Sequence, residues 1–245
     1  MKKLIFVLIL FTLIPRLEFA QSNEDCLICH DDPGFKGKVM GKTVSLNVNQ
    51  KTFSESVHGD LECVDCHSDY NAEDIPHRKE YSRVNCGECH SDVQKLYVEC
   101  LHGKAKAKGD PLAPLCQDCH GNHNILPVKD HNSAVAPMKI PFLCGKCHRE
   151  GTPVQLQRNI PQDRILENYS ESIHGEGLLM KGLTVSATCV SCHSAHRILP
   201  HTDSRSTISR QNIATTCSVS HAEIETVHRK IIRGELREKQ EHKLP

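Results

Sequence analysis

The sequence predicts a mainly α-helical chain with much irregular structure, in which short helices surround an interior that side chains alone do not fill. Three observations predict it. Aromatic residues make up 4% of the 245 residues and Trp is absent, so the chain has few large apolar side chains with which to offset its ordering entropy. It carries 14 Cys and 17 His. Those Cys and His recur in a fixed order, so that one short unit is written several times along the chain.

The N-terminus reads as a secretory signal over residues 1–20. Lys2 and Lys3 form a positive start, Leu4 to Ile14 form an apolar run too short to span a bilayer comfortably, and a cut is expected after Ala20. Glu18, three residues before that cut, departs from the small residue usual there, which leaves an uncleaved anchor as the alternative. No later segment is apolar enough to serve as a membrane anchor, so a periplasmic or otherwise exported, soluble mature chain is expected. Residues 21–220 hold the repeated units and 221–245 a charged tail. An exported chain meets an oxidising compartment, where disulfides are the default use of Cys. The spacing argues for another use.

Six times the chain writes Cys-x-x-Cys-His: at Cys26, Cys29 and His30; Cys63, Cys66 and His67; Cys86, Cys89 and His90; Cys116, Cys119 and His120; Cys144, Cys147 and His148; and Cys189, Cys192 and His193. This is the signature of covalent haem attachment. Two thiols three residues apart meet the two vinyl groups on one porphyrin edge, and the following His ligates the iron as proximal ligand. A zinc site closes a tetrahedron of four protein donors, and neither it nor a disulfide framework requires a His after the second Cys every time. Haem c is therefore the expected cofactor, at six sites. A seventh motif is incomplete: in CSVSH, Cys217 and His221 are present and Ser220 replaces the second Cys. One thioether and one axial His remain there, so a seventh haem is either singly attached or lost. Cys100 stands where two sister motifs have Ser, and reads as a free thiol in a serine-like slot.

A second motif recurs as SVHG at 56–59, CLHG at 100–103 and SIHG at 172–175. In two places a further His follows an attachment motif by three residues, in CHGNHNILP and CHSAHRILP, and from that His to the next attachment motif is 21 residues both times. Asp130 then matches Asp203, Ser133 matches Ser206 and Ile140 matches Ile213, which puts CSVSH where a sister unit has CGKCH. A unit thus reads attachment motif, S-x-H-G loop, attachment motif, trailing His. Units begin at Cys26, Cys86 and Cys144, and a fourth opens at Cys217. Six His occupy the loop and trailing positions: His58, His77, His102, His123, His174 and His196. They are the expected distal iron ligands, one for each intact motif, with none assigned to His221. Side chains three apart on a helix share a face, so His123 and His196 are expected to serve neighbouring haems. The Gly after each loop His (Gly59, Gly103, Gly175) is expected at a close approach to a flat ring or at a positive φ.

Of the remaining His, His131 and His201 have no equivalents in sister units and are expected to face solvent. Residues 42–53, with Val44, Leu46 and Val48 alternating, predict a short strand or hairpin. Ile224, Val227, Ile231 and Leu236 predict an amphipathic C-terminal helix over 221–245. Removing the signal takes three of the 30 basic and one of the 30 acidic residues, and each haem brings two propionates. An acidic holoprotein favours basic redox partners over nucleic acid.

The S-x-H-G, CxxCHGxHxI and CGxCH motifs resemble those of bacterial periplasmic multihaem cytochromes c, akin to cytochrome c3, the tetrahaem domains of flavocytochrome c and the NapC/NrfH-type quinol-linked cytochromes. The resemblance spans nearly all of the mature chain. It implies a small multihaem cytochrome c fold organised around a chain of stacked bis-His haems. It also implies an electron carrier rather than an enzyme, working between a quinol-linked cytochrome and a terminal reductase. The chain departs from NapC/NrfH in lacking a transmembrane anchor after the signal. The rival expectation is a multihaem reductase of a small nitrogen or sulfur oxyanion, with the incomplete motif as its active site.

Overall fold

The computed structural model describes residues 21–39, 41–71, 73–77, 82–158 and 160–221. The expected signal segment lies outside them, as does the expected C-terminal helix beyond His221. Among the described residues the protein is mainly helical, with one two-stranded antiparallel sheet. The helices among the described residues are short, and the longest of them, Ser91–Glu99, has nine residues. Helices of this length are marginal alone, so each depends on its caps and on what it packs against. No described helix is long and apolar enough to cross a membrane.

The chain divides into two compact units. One gathers the described residues of Met1–Asn47 and Glu62–Ser82, the other those of Val48–Leu61 and Arg83–Pro245. In the smaller unit, helix Asn23–His30 carries the first attachment motif. A hairpin follows, β1 (Lys36–Val39) and β2 (Lys42–Ser45), with Gly37 opposite Val44 and Gly41 at φ 79° in the turn. A hairpin does form before the first S-x-H-G loop, but it ends sooner than the alternation suggested. Asn49, already in the larger unit, accepts a hydrogen bond from Thr52 N and starts a helix over Gln50–Ser54, because a side-chain cap at that point competes with further strand. Helix Cys63–Cys66 closes the smaller unit, held by Cys63 N donating to Asn23 Oδ1 at 2.6 Å.

In the larger unit the repeat seen in the sequence is a repeat of hydrogen bonds. Ser133 Oγ donates to Leu126 O at 3.3 Å and Ser206 Oγ to Leu199 O at 3.1 Å. Asp130 N and Asp203 N donate to Pro127 O and Pro200 O, both at 2.9 Å, and Ile140 N and Ile213 N close matching helix starts on Ala136 O and Ser209 O. Val57 N reaches Ile125 O at 2.8 Å and Leu101 N reaches Ile198 O at 2.9 Å. The first two S-x-H-G loops are thereby tied to the trailing segment of the unit after each. The buried apolar residues are few and mostly small: Cys100, Ala113, Ala136, Ile140, Leu178, Leu199 and Ala214. The residues just before the loop His, Val57, Leu101 and Ile173, remain exposed at 51%, 46% and 71%.

Candidate haem-binding centres

Each attachment motif folds as about one helical turn. The backbone N–H of the motif His bonds back to the carbonyl of the first Cys: His67 to Cys63, His90 to Cys86 and His148 to Cys144, each at 2.9 Å. The first Cys and the His therefore lie on one face, one turn apart. In the second motif of each unit the residue before the last Cys also reaches back over the helix start. Asp65 and Asp118 carboxylates accept from Glu62 N and Leu115 N at 2.8 and 2.7 Å, and Ser191 Oγ accepts from Thr188 N at 3.0 Å. A short polar acceptor at this third helical position is half of a capping box, which gives the middle residue of CVDCH, CQDCH and CVSCH a task. CSVSH keeps the turn: His221 N bonds Cys217 O at 3.0 Å and Ser220 N bonds the same carbonyl at 3.1 Å.

The trailing His does not share a helix with the motif His. The helices Cys116–His120 and Cys189–His193 stop at the His, and the next residue takes a positive φ, 87° at Gly121 and 61° at Ser194. The chain reverses there and carries His123 and His196 away. His123 and His196 are thus directed away from the motif His of their own helix by a backbone reversal rather than by helix geometry.

The loop His is held by its own cap. Ser172 Oγ accepts from Gly175 N at 3.1 Å and Cys100 Sγ from Gly103 N at 3.3 Å. Cys100 is buried at 2% exposure and acts as the expected serine substitute. The Gly after each loop His is required, but by a different neighbour from either one expected. A Cβ on Gly103 would overlap Tyr97 O, one on Gly175 would overlap Tyr169 O and one on Gly59 would overlap Ser54 O. None of the three has a positive φ. An aromatic residue five positions before each loop His, which the sequence reading passed over, completes the arrangement. Tyr97 Oη donates to Pro114 O at 2.7 Å and Tyr169 Oη to Ala187 O at 2.9 Å, pinning the loop to the segment that enters the second motif. Phe53, at the same offset, sets its ring edge against His123. The fixed spacing of Phe53, Tyr97 and Tyr169 in a chain poor in aromatics was the available signal.

The histidines then meet in pairs. Ring centres are 6.4 Å apart for His30 and His77, 6.0 Å for His58 and His90, 6.0 Å for His102 and His148, 5.9 Å for His120 and His196, and 6.0 Å for His174 and His221. Every pair joins one attachment His to one loop or trailing His. An imidazole nitrogen binds a first-row metal at about 2 Å and the ring centre lies roughly 1 Å beyond it, so two rings trans on one ion stand roughly 6 Å apart. The pairs fit the axial positions of a haem, whose porphyrin supplies the other four donors. In the smaller unit the tautomers are also determined. His30 Nδ1 lies 2.7 Å from Leu46 O and His77 Nδ1 lies 3.0 Å from Asp74 O. A carbonyl only accepts, so both Nδ1 carry a proton; in a neutral imidazole that leaves the lone pair on Nε2, the usual arrangement of a ligating His. Burial holds His67, His102, His120, His148 and His193 below the ordinary imidazole range, which favours the neutral form that can donate to a metal.

The pairing follows a rule. A loop His faces the opening motif of the next unit, as His58, His102 and His174 do, and His196 faces the second motif of the preceding unit. The ring pairs do not run one-to-one from the six loop and trailing His to the intact motifs, because His174 stands opposite His221, to which none was assigned. Among the described residues no ring faces His193. His131 and His201 are exposed as expected.

The first thiols of the two motifs within a unit also lie together. Cys63 is within hydrogen-bonding reach of Cys26, Cys116 of Cys86 and Cys144 of Cys189; burial, then the neighbouring thiol, pushes Cys63 up to about 11. Helix Cys189–His193 packs on both Ile140–Gly145 and Ile213–Ser218, so successive motifs are neighbours in space. Among the described residues no three His, Cys, Asp or Glu converge as a bare-ion site would require. No family model matches the chain, and neither a curated protein nor a solved structure does.

Proposed function

We infer that the protein is an exported multihaem c-type cytochrome, a carrier that relays electrons between redox partners, with haem c at each of the six intact attachment motifs. The observation that carries this reading is the facing of histidines in pairs, always one attachment His with one loop or trailing His, at the separation of two axial ligands. When bound, each haem supplies a one-electron iron couple. The chain's own part is to fix both axial imidazoles, through the one-turn motif helices, the capped loops and the carbonyls that accept from His30 and His77. At the four intact motifs whose His faces a second ring, His30, His90, His120 and His148, two imidazoles would saturate the iron and leave no position for substrate, which favours transfer over catalysis there. Contact between the first thiols of paired motifs brings the two cofactors of each repeat close enough for electrons to pass between them. The acidic mature chain suits basic partner proteins of the kind that link quinol oxidation to a terminal reductase. The reductase alternative placed its open position opposite His221, where the ring of His174 stands; among the described residues it is His193 that no ring faces.

A disulfide framework is the second reading, because Cys26 with Cys63, Cys86 with Cys116 and Cys144 with Cys189 would also suit crosslinks. It leaves the second Cys of every motif without a task and gives the paired histidines none. Intact mass of the mature protein separates the two. The expected result is a covalent increment of at least six haems that survives reductant, with a spectrum dominated by low-spin iron. A haem-free chain whose mass and mobility change on reduction would overturn the reading.

A further inference from the structure

We propose that the incomplete motif CSVSH is a working seventh centre: a haem held by one thioether from Cys217, with His221 and His174 as its two axial ligands. This rests on the cytochrome reading above and extends it to a site where the attachment signature is broken. The geometry around His221 matches that of its intact sister. His174 and His221 are 6.0 Å apart with ring planes at 36°, and His102 and His148 are 6.0 Å apart at 34°. The loop that presents His174 has the same cap and the same glycine contact as the loop that presents His102. A motif that had lost its cofactor would have no use for a distal His kept in register.

The surrounding residues point the same way. Where the sister unit has Ala134, this one has Thr207, whose hydroxyl donates to Cys192 O. Where the sister has Leu143, this one has Thr216, whose hydroxyl donates to Thr207 O at 2.7 Å. These two bonds tie helix Ile213–Ser218 to the preceding attachment motif through contacts its sister lacks. They hold the Cys217 turn in place where one of the two covalent tethers is gone. The seventh centre then adjoins the Cys189–His193 centre, as the centre at Cys144 adjoins that at Cys116, and extends the path by one step.

The attachment chemistry balances with a single cysteine. The Cys217 thiol adds across one vinyl group: sulfur bonds to the carbon next to the ring, the thiol hydrogen goes to the outer carbon, and the double bond becomes single. No electrons are gained or lost overall. The Ser220 hydroxyl does not add, so the second vinyl is retained. A retained vinyl shifts the α-band of the pyridine haemochrome to longer wavelength, a signature independent of any activity.

The test uses the full chain matured with its haems. The wild type is expected to carry seven covalent haems, with a long-wavelength component of about one part in seven in the haemochrome. Cys217→Ser should lose one covalent haem and that component together. Ser220→Cys should keep seven and remove the component. His174→Ala should keep seven and convert one iron to a high-spin, carbon-monoxide-binding form. Six haems in the wild type, or a haemochrome unchanged in both Cys217→Ser and Ser220→Cys, would overturn the proposal and leave the carrier reading standing. A chain with no haem at all would instead overturn the carrier reading.

Discussion

The loops around His102 and His174 are built alike, yet they face attachment motifs that differ by a cysteine. Both loops start on a side-chain acceptor, both pass a Gly beneath a Tyr carbonyl, and both place their imidazole 6.0 Å from its partner. Replacing Cys147 by its counterpart Ser220 leaves that separation unchanged. The ring separation is therefore set by the backbone scaffold of caps and close contacts. On the proposed reading the cysteines would add attachment to a site that other residues have shaped.

The largest effect should come from the glycines that the two loops share. In Gly175→Ala the new methyl would overlap Tyr169 O, a backbone atom that cannot swing away, and in Gly103→Ala it would overlap Tyr97 O. Overpacking against fixed backbone costs about 3 kcal/mol, so each variant should unfold at markedly lower denaturant. Each should also show one high-spin iron by electron paramagnetic resonance. A harmless Gly175→Ala beside a damaging Gly103→Ala would mean that only the loop facing the intact motif is under constraint, and the equivalence of the two regions would fail.

A smaller effect should separate the regions at the chain reversal. The residue after the motif His is Gly121 in one unit and Ser194 in the other, both at positive φ. Ser194 has φ 61° and ψ 168°, a region nearly reserved for glycine, where an L side chain carries roughly 1–3 kcal/mol of strain. Part of the relief in Ser194→Gly is offset by the greater freedom of glycine in the unfolded chain. A net gain of about 1 kcal/mol is expected from equilibrium denaturation, with the His120 and His196 pair unaltered in its low-spin signal. No gain would show that Ser194 is held there by contacts worth as much as the strain.

The attachment motifs, the 21-residue register and the histidines at repeating positions were legible in the sequence because each depends on residues close together in the chain. Which His faces which was not. His120 meets His196 across two units, and His174 meets His221 past an intervening intact motif, and neither separation follows a local period. Counting distal against intact motifs gave a balanced sum that the ring pairs do not follow, since the count carried no information about the direction in which each loop reaches. The helix stops at His120 and His193 were missed because Ser194 lacks the glycine that marks the same turn at Gly121. The helix over Gln50–Ser54 was missed because Val44, Leu46 and Val48 continue a strand pattern past the point where Asn49 caps a new helix.

The smallest effect should come from Cys100→Ser, which makes one loop match the other. Cys100 Sγ accepts from Gly103 N at 3.3 Å, whereas Ser172 Oγ accepts from Gly175 N at 3.1 Å and also donates to Tyr169 O at 2.6 Å. A serine at 100 would gain the better acceptor and a donor for Tyr97 O. It would lose the favourable burial of a sulfur that is only 2% exposed. Each of those changes is worth about 1 kcal/mol or less and they oppose one another, so stability should move by no more than about 0.5 kcal/mol. The haem count and the low-spin spectrum should not change, since the thiol caps a loop and attaches nothing. Loss of a haem, or a new high-spin signal, would instead make Cys100 a participant in a metal centre, and the likeness of the two loops would then hide a difference in chemistry.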